Sequence, residues 1–248
     1  MKPLACLAAL SALSLPADAG GTHAIDMEGA ILSDRAEAVT ASLDILAAHT
    51  HRDGNELTFH MTTAGTAGAD KPEPVGDLAG APVHAYVWPT SLDPAAVGFE
   101  GGSGILALAA TSHPDFDDTP LYDESGDGDL GNDGDLWHSH WVVLTPNDEC
   151  GAGMLSVRDI PEGETPALPP TWPGLPLYID SPDFKPILTE SEVTITVALE
   201  SDRAAAGAGY DGVTAALKVN GNLHAPLLCV TDVFDVASGD LSLPGKIE

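Results

Sequence analysis

Nowhere in this chain do apolar residues recur at i, i+3, i+4 and i+7 over three turns between capping residues. Short apolar runs with period-two alternation take their place, so the backbone polar groups must be satisfied between strands and not within helices. Glycine and proline, 26 and 20 of the 248 residues, cut these runs apart. The pattern predicts an all-β fold, a single antiparallel β-sandwich with long loops and few or no regular helices, formed as one domain by residues 20–248.

The firmest local signal is a hairpin. Ala38–Ala47 is followed by Asp53-Gly54-Asn55 and then by Glu56–Thr62, where Leu57, Phe59 and Met61 alternate with polar residues. Asp-Gly between two such runs favours a tight turn. Further strands are expected at Val83–Trp88, Ile105–Thr111, Leu136–Thr145, Glu192–Leu199, Val213–Val219 and Leu227–Phe234. The segment 161–186 carries eight prolines and cannot be an interior strand. It also carries Trp172, Leu175, Leu177, Tyr178 and Ile179, so it reads as a long loop packed over the sandwich.

The first residues, one lysine and a short apolar run closing on Ala17-Asp18-Ala19, have the form of a secretory signal peptide over 1–19. A periplasmic or secreted protein is the expectation, and no other run approaches the length of a membrane span. Cleavage would remove Cys6 and leave Cys150 and Cys229, an even pair that an oxidising compartment turns into a disulfide. It would also remove one cation and one anion, Lys2 and Asp18, so the net charge of −29 is unaffected. A polyanion of that strength repels phosphate backbones and anionic lipid, which excludes nucleic acid as a partner and points to cations.

The run Thr58-Phe59-His60-Met61-Thr62-Thr63-Ala64-Gly65 resembles the repeated strand pattern of DOMON and family-9 carbohydrate-binding-module sandwiches, over about a tenth of the chain. The resemblance implies a sandwich that binds haem or sugar, with Met61 in the place of an axial haem ligand. Read from the residues alone, Met61 alternates with Leu57 and Phe59 as a core side chain does. Trp88, Trp137, Trp141 and Trp172 could form a sugar-stacking platform or belong to the core.

Nine acidic residues crowd the loop 115–135. Like charges at that density need water or a cation, and Asp123, Asp127, Asp129, Asp133 and Asp135, spaced by Gly and Ser, suggest a calcium loop that lacks the terminal Glu of an EF-hand. The histidines give the sharper signal. In Trp137-His138-Ser139-His140-Trp141, alternation sends His138 and His140 to one face and the tryptophans to the other. Two imidazoles so placed, about 7 Å apart at the backbone, can converge on one divalent transition metal, copper or zinc in an oxidising compartment. A further ligand is sought first at His113, in the carboxylate-rich stretch after a strand, then at His84 and His60. A second pair, His49 and His51, lies at the hairpin beside Arg52, which works against a cation.

No Gly-x-Ser-x-Gly elbow, P-loop, dinucleotide fingerprint or His-Glu-x-x-His is present. The expected function is therefore metal binding, storage or delivery outside the cytoplasm. The alternatives are a metal-dependent hydrolase or lyase, with Asp115 or Asp117 as base, and a DOMON-like haem or carbohydrate module.

Overall fold

In the computed structural model, which describes residues 29–199 and 205–248, the alternating runs become antiparallel strands. The expected signal peptide lies outside the described residues. In chain order the strands are β1 (Ile31–Leu32), β2 (Ile45–Asp53), β3 (Glu56–Thr63), β4 (Pro82–Pro89), β5 (Ile105–Ser112), β6 (His138–Pro146) and β7 (Leu155–Val157). They continue with β8 (Ile179–Asp180), β9 (Ile187–Thr189), β10 (Glu192–Ala198), β11 (Gly209–Tyr210), β12 (Val213–Val219), β13 (Leu228–Val236) and β14 (Gly245–Lys246). The helical elements among the described residues are two short 3-10 turns, and no helix there is long and apolar enough to cross a membrane.

The first sheet has the order β1-β2-β3-β10-β9. Its central hairpin turns at Gly54-Asn55, where Gly54 takes φ +63°, a conformation that disfavours a side chain. The expected strand over Ala38–Ala47 is displaced, because Asp44 is fully buried and its carboxylate accepts the Ala36 amide. That bond folds residues 36–44 into turns and delays the strand to Ile45.

The second sheet departs from a plain sandwich layer. Its strands run β5-β4-β12-β13-β7-β6, and β6 returns to pair with β5 from Ile105↔Leu144 to Thr111↔His138, closing a six-stranded barrel. Alternation along each barrel strand therefore feeds two cores. Outward-facing Trp88, Leu108 and Trp141 meet Phe59, Met61 and Ile195 of the first sheet, with the Phe59 ring 5.9 Å from Trp88 and 6.1 Å from Trp141. Inward-facing Ala85, Val87, Ala109, Val142, Leu144, Ala215 and Leu217 line the barrel. Strand β6 is consequently buried on both faces from His138 to Leu144.

The barrel is weakest along one seam. Strand β7 has three residues and pairs with β13 only at Cys229↔Ser156. The Cys150–Cys229 disulfide crosses this seam, tying β13 to the turn that follows β6. In the proline-rich segment, Trp172 and Tyr178 join the core between the layers, and Leu175, Leu177 and Ile179 join that of the barrel. Its one strand, β8, sits at the end of the sheet beside β6.

Candidate metal centre

His138 and His140 point into one end of the barrel from β6, and the chain leaving β5 brings His113 to the same place. A close backbone approach sets this geometry. The His113 amide donates to the Gly134 carbonyl at 2.6 Å, and a Cβ on Gly134 would collide with the carbonyl oxygens of His113 and Phe116. The turn that follows carries Asp118 inward. His113, Asp118, His138 and His140 are all buried, between 1 and 6% exposed.

One atom organises the group. Asp118 Oδ1 lies 3.2 Å from Nε2 of each of the three histidines. The Nε2 atoms of His113 and His138 are 2.9 Å apart, and all four ligand atoms lie within 4.8 Å of one another. In a tetrahedral zinc site with bonds of about 2.0–2.1 Å, neighbouring ligand atoms are about 3.3 Å apart.

The outer nitrogens settle which ring atoms carry protons. His113 Nδ1 donates to the Phe116 carbonyl at 2.9 Å, and His138 Nδ1 to the Leu136 carbonyl at 2.8 Å. His140 Nδ1 is 3.1 Å from Ser181 Oγ, whose own proton goes to the Asp118 carbonyl at 2.8 Å, so the serine accepts from the imidazole. With each Nδ1 protonated, the neutral rings turn three Nε2 lone pairs toward a carboxylate oxygen. Asp118 Oδ1 and His140 Nε2 are both buried without a hydrogen bond. Four acceptors facing one another repel unless a cation stands between them, and ligand histidines with oriented outer nitrogens are the usual way proteins hold one.

Comparison with protein-family models, curated proteins and solved structures finds no match to this chain.

Without an ion, a proton must do part of this work. Burial opposes charge on His113, but the Asp118 carboxylate outweighs it and raises the imidazole pKa. Burial also opposes charge on Asp118, and the three imidazoles outweigh it, holding the carboxyl well below its usual range. At His138 burial prevails, and its pKa falls.

The other expected site residues lie elsewhere. His84 sits on the outer face of β4, its Nδ1 3.2 Å from the Asp70 carbonyl and its ring against Phe234. His60 pairs through Nδ1 with Thr194 Oγ1 at 3.1 Å and stacks on His49. Both are on strands whose alternation turns them away from the barrel interior. Met61 is fully buried between the layers.

The acidic loop closes on itself. Asp123 accepts the amides of Gly126, Asp127 and Gly128, Asp127 accepts that of Asp129, and Asp129 that of Gly131. Asp135 faces Lys71 at 3.9 Å. Of the five aspartates expected to share calcium, Asp133 alone joins other carboxylates, in a group with Asp117 and Glu124. The two expected bases are engaged in fastening loops: Asp115 accepts the Val75 and Gly76 amides, and Asp117 those of Thr119 and Asp133. The sequence offered no sign that Asp118, among nine crowded acids, is the one turned toward the histidines.

Proposed function

We propose that this protein binds a divalent transition metal, zinc or copper, outside the cytoplasm, for storage or delivery. The observation that carries the reading is the convergence of three Nε2 lone pairs on one buried, unbonded carboxylate oxygen. Imidazole and carboxylate ligands suit these ions, and the absence of thiolate from the set argues against copper(I). Four protein ligands fill a tetrahedral shell and leave no position for an activated water, which favours holding an ion over hydrolysis. The signal-like start of the sequence and the disulfide support an oxidising destination.

Elemental analysis of the full-length protein purified without chelator, beside His138→Ala/His140→Ala, tests this. The reading expects about one equivalent of zinc or copper in the wild type and none in the variant. Calcium alone, unchanged in the variant, overturns it and directs attention to Asp117, Glu124 and Asp133.

A further inference from the structure

Seen from inside the barrel, the histidine–aspartate group closes one end of a cavity of about 90 Å³. Beyond His113, Asp118 and His140 the walls are almost wholly apolar, from Val83 and Val87 through Val142 to Leu217 and Val230. The void has a cause in the sequence. Ala85 and Ala215 are register partners on neighbouring strands, and Ala109 lies opposite His140, so three methyl groups stand where larger side chains would fill the interior.

Protein interiors are ordinarily packed without voids of this size, since lining atoms lose their contacts. Water is a poor filler, because it needs two to four polar partners and these walls offer them at one end only. Dry apolar cavities instead take up apolar atoms and molecules of matching size. A charged occupant is excluded by the cost of burying it against alanine and valine.

The cavity also has an opening. Val233 and Leu241 are its exposed lining residues, 40% and 42% accessible. Val233 lies on β13 beside the weak seam, where that strand beyond Cys229 pairs with β12 and has no ladder to β7.

We propose that the barrel interior is a binding chamber for one small, uncharged, apolar molecule, which enters past Val233 and Leu241 and lies with one end against the metal ligands. The placement of that end rests on the metal reading; the chamber does not.

Xenon is the probe. Titration of the zinc-loaded and cobalt(II)-loaded full-length protein, followed by xenon-129 NMR, should give saturable binding at one site, with the bound signal broadened by cobalt(II) and not by zinc. Ala215→Val should weaken binding several-fold and Ala215→Leu abolish it, at unchanged metal content. No saturable binding in the folded, metal-loaded protein overturns the proposal, as does binding undiminished by both substitutions. Xenon binding without cobalt broadening overturns the placement beside the metal. A protein that takes up no metal yet binds xenon, and loses it in Ala215→Leu, overturns the metal reading and leaves the chamber standing.

Discussion

Ser181 does for His140 what two backbone carbonyls do for His113 and His138: it accepts the Nδ1 hydrogen bond and so aims the other nitrogen inward. Ser181→Ala should therefore lower metal affinity about 10- to 100-fold without touching a ligand, as measured by competition with a chromophoric chelator. His60 supplies a second residue-scale prediction. Burial, with His49 and His51 nearby, lowers its pKa from 6.5 to about 4. Between those values the unfolded chain takes up a proton that the folded protein refuses, so stability falls as pH drops through this window. His60→Gln should flatten that slope in urea unfolding run from pH 7 to pH 4, and an unchanged slope would place the titration elsewhere. At this scale three members of the buried group were legible. The His-x-His spacing singled out His138 and His140, and the end of an apolar strand indicated His113. Asp118 was hidden, because its role depends on how a turn folds back and not on its neighbours in sequence.

At the scale of elements, the site depends on one hairpin, β5 and β6, and on the loop between them. Gly134 is where that loop touches itself, and Gly134→Ala would drive a methyl group into the carbonyls of His113 and Phe116. We expect a loss of about 1–3 kcal/mol, typical of forced overpacking, together with weakened metal binding. Urea denaturation with and without metal separates the two effects. Alternation made seven of the eight strands of seven or more residues readable to within two residues, since it reports burial directly. Alternation assigns faces but not partners. That β6 would return to β5 and enclose a second core was thus not legible, nor was β7, whose three residues are too few to show a period.

For the whole molecule, the disulfide and an ion held by the histidine–aspartate group would act on the same closed barrel from different places. The cysteines are 79 residues apart, so in the chain-entropy description their bond is worth about 4 kcal/mol. Cys150→Ser/Cys229→Ser should lose stability of that order in chemical denaturation. Metal present at about 1,000 times its Kd should add about 4 kcal/mol by mass action, and chelation should remove it, visible as a lower Tm. The two effects should add in the double condition, because the seam and the ligands share no residue.

All four ligands come from the stretch between His113 and His140, within two adjacent strands and their connection. An ion bound there would therefore be held by one continuous stretch of chain, with β12 and β13 supplying walls and no ligand. Such an ion would face valine and leucine walls that a charged species crosses only at a cost, so we expect its exchange to be slow. Slow exchange would make the metal found in the purified protein a record of the ions present when it was loaded, more than of the affinity ranking measured afterwards in a test tube.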